Sequence, residues 1–409
     1  MKLRTKRILM TAAFLLTLTG CGDVSSPVEE PAEDVSTQPA DPDSEEEDNE
    51  EQTPVQETEE KSKDKDKGAK GRKAALVTDG SSAMENGFNQ AALMGVETYA
   101  DAACVPYACY SAQGDTEAAY REAILTAIED DAELVVCVGP DFEEAVGSLQ
   151  EEYKDVYFLL LGGVPKDAEE EEIEIAANVH CIIYKEEEAG YLAGYMSVLE
   201  GYRKFGFIGG EDRSAVEKYG CGYLQGIDAA AQGLEVDSEV QIDYWYVDAA
   251  LPVEEIGEMA TAWYQDGTEI IFTCGGMLYE AVLLAAEACD GMMIGADVDQ
   301  SEISGRFLTS AKKGIESSVV VALDDFFANG KKWPEDLAGA ALSYGAREKC
   351  IGLPMQNDAW RFQNVTVGEY LQVLARLRTG EIQILADTEE LPETAVSVVY
   401  HNQQEEEDS

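Results

Sequence analysis

Few residues in this chain have types and spacing that could do chemistry. Histidine occurs only as His180 and His401. His180 is followed by Cys181, a base and a nucleophile by type, but neighbours on a strand point to opposite faces. The sequence contains no HExxH, GxSxG or Walker A pattern. Gly209-Gly210 and Gly275-Gly276 read as strand-end turns rather than GxGxxG phosphate loops. The cysteines form no CxxC pair, which removes the usual signature of zinc ribbons and redox dithiols. The carboxylates, 82 in all, read as solvated faces rather than a convergent metal site. No catalytic, metal or cofactor set emerges. Binding chemistry is better represented. Asp79 closes an apolar strand and Phe88-Asn89-Gln90 opens the next helix. A carboxylate and an amide there can pair with the polar edge of a ligand, while a ring covers its flat face. Phe88 equally suits a core ring, and Asn89 a first helical turn.

These residues need an α/β framework to hold them. Strands read at Ala74 to Gly80, Leu134 to Gly139, Val156 to Gly162, Phe205 to Gly209, Glu269 to Cys274, Met292 to Asp297 and Arg306 to Ser310. Helices read at Gly87 to Asp101, Asp115 to Asp130, Lys185 to Leu199, Val216 to Ala231, Pro252 to Gln265 and Leu278 to Cys289. Continuous apolar strands alternating with amphipathic helices predict parallel sheets covered on both faces. Several strands end in Gly or Asp, and in open α/β sheets ligands bind beyond the carboxyl ends of the strands. The rhythm repeats before and after about residue 180, which predicts two similar lobes rather than one large sheet.

The first residues carry a different signal. Lys2, Arg4, Lys6 and Arg7 precede an apolar run from Ile8 to Leu18, the order of a secretory signal. The run is about half of the roughly 20 residues a membrane span needs. Leu18-Thr19-Gly20-Cys21 resembles the lipobox of bacterial lipoproteins, which implies lipidation of Cys21 and a place on the extracytoplasmic face of the cell membrane. Residues 22–72 are acidic and poor in large apolar side chains, so a disordered linker is expected. The net charge of −53 opposes binding to a nucleic acid backbone. Cys137 and Cys274 sit inside apolar runs and read as buried small hydrophobes, whereas Cys104 and Cys109 are close enough in sequence to bridge across a turn.

Ala75-Leu76-Val77-Thr78-Asp79-Gly80, followed by Gly87-Phe88-Asn89-Gln90-Ala91-Ala92 and Gly95, resembles the opening of the basic membrane protein family, the PnrA-like nucleoside-binding lipoproteins of ABC importers. Further segments are similar in the same order: Asn178-Val179 with Glu188-Ala189-Gly190-Tyr191-Leu192-Ala193-Gly194, then Phe205-Gly206-Phe207-Ile208-Gly209-Gly210 with Lys218-Tyr219 and Gly222-Tyr223. Ile294-Gly295-Ala296-Asp297-Val298-Asp299-Gln300 and Leu308-Thr309-Ser310-Ala311-Lys312-Lys313 complete a likeness over about residues 73 to 350.

The resemblance implies a type I periplasmic-binding fold, with two parallel-sheet lobes joined by a three-strand hinge. It places lobe 1 at about 73–178 and 302–345, and lobe 2 at about 184–295 and 350–400. It implies that Asp79 and Asn89 hydrogen-bond a base, Phe88 packs on it, Asp297 and Lys313 hold ribose hydroxyls, and Gly275 lets backbone approach the ligand. The implied function is a lipid-anchored solute-binding protein of an ABC importer, most similar to those that bind purine nucleosides, with a membrane permease as partner. A ligand-sensing receptor of the same fold is the alternative. The chain departs from the family pattern at Gly162, where an Asp is usual, near Glu85 and Gly87, and at Val247-Asp248-Ala249-Ala250, where a second stacking ring is expected.

Overall fold

The computed structural model describes residues 73–80, 87–210, 214–247, 251–386 and 391–401, all within one compact unit, Gly68–Ser409. The signal segment with Cys21, the acidic stretch 22–72, Glu85 and Asp248-Ala249-Ala250 lie outside the described residues.

The chain runs β1 (Lys73–Thr78), α1 (Gly87–Ala103), β2 (Tyr107–Ser111), α2 (Glu117–Glu129), β3 (Ala132–Val138), α3 (Glu143–Leu149), β4 (Tyr157–Leu161) and β5 (Val179–Tyr184). It continues through α4 (Glu186–Glu200), β6 (Lys204–Gly209), α5 (Ser214–Gly233), β7 (Gln241–Tyr246), α6 (Val253–Gln265), β8 (Ile270–Cys274), α7 (Leu278–Cys289) and β9 (Met292–Asp297). The last part holds β10 (Phe307–Lys313), α8 (Ile315–Ala328), β11 (Ala340–Tyr344), β12 (Ile351–Gly352), α9 (Val367–Thr379) and β13 (Ser397–Tyr400).

Among the described residues the strands form two sheets. The six-stranded sheet has the order β11-β5-β4-β3-β1-β2 and is parallel throughout. The seven-stranded sheet has the order β12-β10-β9-β8-β6-β7-β13 and is parallel except for the β10–β12 pair. Leu134, Val136 and Val138 enter one apolar cluster while Val135 and Cys137 enter another on the opposite face. Burial on both faces is why β3 is apolar at nearly every position instead of every second one. Helices α4 and α5 pack at backbone distance. A Cβ on Gly222 would fall 2.0 Å from the Glu187 carbonyl oxygen, so only glycine fits at that crossing.

The chain passes between the sheets three times: from β5 to α4, from β10 to α8, which packs on α1, and from β11 to β12. Two lobe boundaries differ from the sequence expectation. Residues 302–313 were expected in lobe 1, yet β10 lies beside β9 in the seven-stranded sheet, with Phe307 opposite Met293 and Lys312 opposite Asp297. The crossing therefore falls at Gly314. Residues 179–183 fell between the two expected lobes and Tyr184 at the start of the second, yet all of β5 belongs to the six-stranded sheet, paired with β4 and β11. Parallel neighbours usually need a helical crossover. Here β9 and β10 are joined by a loop, and a loop carries no helical signal to mark the two strands as partners.

Candidate ligand-binding site

A cavity of about 450 Å³ lies between the two lobes, at the carboxyl ends of β8 and β9 and the start of α1. Phe88 and Gln90 line it from the first lobe, and Gly275, Asp297, Asp299 and Glu302 from the second. Of the residues expected to bind ligand, Phe88, Gly275 and Asp297 are on this lining, whereas Asp79, Asn89 and Lys313 lie outside it.

On the first-lobe side, Asn89 is 1% exposed and its Nδ2 donates to Asp79 Oδ1 at 2.9 Å. The carboxylate at the end of β1 thus meets the amide in the first turn of α1. The Phe88 ring stands edge-on to Tyr184, centroids 6.3 Å apart. Gly162 lies at the far edge of that ring, where an added Cβ would sit 3.6 Å from Phe88 Cζ. Gly162 has φ +84°, a backbone conformation that disfavours any side chain with a Cβ. This is the physical reason glycine suits a position where the family pattern has Asp.

On the second-lobe side the polar groups are charged and interlocked. Lys313, at the end of β10, is 8% exposed. Its Nζ is 3.0 Å from Glu186 Oε1 and 2.9 Å from Asp297 Oδ1. The same nitrogen lies 5.2 Å from the Phe88 and Tyr219 ring centroids and 5.7 Å from that of Tyr184. Burial alone would discharge this lysine, but Asp297 and Glu186 outweigh it and hold its pKa above the usual value. The Glu186 Oε2 is buried with no hydrogen-bond partner among the described residues.

Asp297 is the last residue of β9 and has φ +65°, in the left-handed region. Its amide donates to the Tyr219 hydroxyl oxygen at 3.3 Å. The Tyr219 proton is shared between Asp297 Oδ1 at 3.0 Å and the Ala311 carbonyl at 3.1 Å. Burial, with the Asp297 charge adding to it, pushes the phenol far above its ordinary pKa, so it stays a donor.

Gly275 has φ +119°, and the atoms closest to a Cβ there would be Gly210 Cα and N, both at 2.7 Å. The close approach it permits is to the Gly210 backbone, whose amide donates to Cys274 O at 2.7 Å. Behind the lining, Arg361 donates to the carbonyls of Ser301 at 2.6 Å, Ser304 at 2.8 Å and Phe307 at 2.7 Å. This arginine braces the loop that carries Glu302. Thr273, also on the lining, keeps a buried hydroxyl with no partner among the described residues.

Sequence reasoning gave no role to Glu186, Tyr219 or Arg361. The first two stand within or beside quoted motifs, but nothing in a linear pattern says that they meet Lys313 and Asp297. Arg361 had no signal at all. The His180–Cys181 pair divides between faces: His180 packs on Trp333 with its Nδ1 at 3.0 Å from Ala340 O, and Cys181 joins the opposite cluster. Burial pushes the Cys181 thiol up to about 12. Cys104 and Cys109 are unbridged. Among the described residues no cluster of His, Cys, Asp or Glu is arranged to hold a metal, and no helix is long and apolar enough to cross a membrane.

Two parallel-rich lobes, crossed three times by the chain and enclosing a polar, aromatic cleft, define a protein of the periplasmic-binding type I fold. The chain belongs to the family described as ABC transporter substrate-binding protein PnrA-like, whose model matches residues 72–385. This is a family of binding proteins rather than enzymes. The chain is 29% identical over 210 residues to basic membrane protein B of Borreliella burgdorferi, covering 50% of this chain and 56% of that protein. It thus spans little more than half the length of this relative. It is 24% identical over 262 residues to the ABC transporter nucleoside-binding protein BmpA of Lactococcus lactis, covering 61% of this chain and 69% of that protein. In fold it is similar to a solute-binding protein of an ABC transporter system from Aeropyrum pernix, with a TM-score of 0.61, 17% identity, and coverage of 77% of this chain and 94% of that one.

Proposed function

We propose that this protein is the lipid-anchored, extracytoplasmic receptor of an ABC importer and that its ligand is a purine nucleoside. The observation that carries the ligand assignment is the pairing, in one cavity, of a flat ring from the first lobe with a braced carboxylate from the second. A nucleoside has the complementary parts: a planar base for Phe88 and hydroxyl donors for Asp297. Lys313 backs Asp297 on the ribose side, and Asp79 with Asn89, outside the present lining, would reach the edge of the base as the lobes close. Gly275 keeps the cavity wall free of a side chain. The nucleoside-binding relative from Lactococcus lactis supports the same reading. Closure of the lobes on ligand would present a joint surface to a membrane permease. Cys21 would tie the protein to the membrane, and the acidic stretch after it would act as a tether.

Thermal unfolding with inosine, guanosine or adenosine tests the ligand. Melting is expected to rise by several degrees at ligand concentrations far above Kd. No shift across a nucleoside panel rejects the ligand and leaves the fold assignment standing. Cys21→Ser tests the anchor separately. The variant should leave the membrane fraction, and continued membrane association would reject lipidation.

A further inference from the structure

We infer that Tyr219 is a positioning residue for ligand recognition, its hydroxyl clamping Asp297 in the geometry that presents the carboxylate to the cavity. The inference rests on reading the cleft as the ligand site.

Asp297 needs such a clamp. It ends β9 in the left-handed region at φ +65°, a conformation uncommon for residues with a Cβ, which Asp adopts more readily than most when local hydrogen bonds hold it. One hydroxyl oxygen touches both parts of this residue. The Asp297 amide donates to it at 3.3 Å, and it faces Asp297 Oδ1 at 3.0 Å. Backbone and side chain are thereby fixed against each other. The Ala311 carbonyl at 3.1 Å ties the same hydroxyl to β10, so the clamp spans two neighbouring strands.

The clamp is itself rigid. Tyr219 is 2% exposed, and its ring stands edge-on to Phe272 with centroids 5.7 Å apart. Its carbonyl oxygen would lie 2.2 Å from a Cβ on Gly190, so α5 is seated against α4 at this point. Lys313 contacts only the side chain of Asp297, and cannot hold the backbone. Lys313 and Tyr219 both engage Oδ1 from behind, while the Asp297 side chain remains 32% exposed on the cavity wall. Tyr219 is not on that wall. The ring also flanks Lys313 Nζ at 5.2 Å, but the hydroxyl reaches the cavity wall through Asp297.

Tyr219→Phe keeps the ring and removes only the oxygen. In the full-length, ligand-free protein, hydrogen–deuterium exchange should accelerate at the Asp297 amide and leave the rest of α5 and β9 unchanged. Unchanged exchange there would overturn the clamp. In calorimetric titration with the nucleoside that the wild type binds, Kd should weaken about tenfold, the size of one lost hydrogen bond to a charged group. Unchanged Kd with accelerated exchange would overturn the positioning role. Added to Asp297→Ala, Tyr219→Phe should weaken binding no further, whereas an additive loss would show that it acts by another route. If the wild type binds no nucleoside, the ligand assignment fails, and the exchange measurement still decides the clamp.

Discussion

The two sides of the cleft are built differently. On the first lobe the polar groups are close in sequence: Asp79 directly follows β1, and Asn89 is in the first turn of α1. The aromatic group, Phe88, sits beside them. On the second lobe the recognition group is assembled from four elements. Glu186 comes from α4, Tyr219 from α5, Asp297 from β9 and Lys313 from β10. The difference follows from charge. A ring or a neutral amide can be buried with a few local partners. A buried ammonium must be matched by carboxylates and hydroxyls, and these have to converge from wherever the fold can supply them. The second side is therefore the more preorganised, and also the more fragile to loss of one member.

The largest effect should come from breaking the charged side. Lys313→Met leaves the Glu186 carboxylate buried without its cation, and should cost about 3 kcal/mol or more in denaturant unfolding. A cost no larger than that of the first-lobe change below would erase the contrast between the two sides.

An intermediate effect is expected from the neighbour of Glu186. Burial raises the Glu187 carboxyl to about 7, its own amide opposing the shift and the Glu186 charge adding to it. The folded protein keeps this proton up to about that pH, whereas an unfolded chain releases it near 4.3. Folding thus takes up a proton between these values, and stability drains as pH rises through the window, by on the order of 3 kcal/mol. Unfolding measured from pH 4 to pH 8 should show that slope in the wild type and a flatter one in Glu187→Gln. Equal slopes would show that the acids behind the second side carry no such strain.

The smallest effect belongs to the first lobe. Asn89→Ala removes the donor to Asp79 Oδ1 and should cost about 1 kcal/mol. Its effect on nucleoside affinity should be read separately in the same variant, by titration at a temperature where it remains folded.

Much of this contrast was legible in advance on one side only. That Asp79 and Asn89 lie near one another could be read from sequence because strand and helix follow one another there; that the amide bonds the carboxylate could not. The α/β rhythm was legible for the same reason: β3, β6, β8 and β9 are apolar runs long enough to stand out. Strands β11 and β13 were not read, because they are short edge strands with exposed alternate positions and little apolar signal. The assignment of residues 302–313 to the first lobe, taken from the resemblance, failed because β9 and β10 are joined by a loop and their pairing shows only in the folded sheet. Glu186 and Tyr219 were invisible as site residues because their partners lie far along the chain.

Taken alone, the order of residues determined that the chain makes parallel α/β lobes, that it resembles a family of two-lobed binding proteins, and that Asp79, Phe88 and Asn89 lie at one strand-to-helix turn. These are consequences of local periodicity, turn chemistry and motif order. Only the tertiary structure decided that β10 joins the second sheet, that Gly275 makes room for Gly210, and that Lys313 stands behind Asp297 between Glu186 and three rings. Each of these depends on the distance between residues remote in sequence, which packing sets and a linear pattern does not contain.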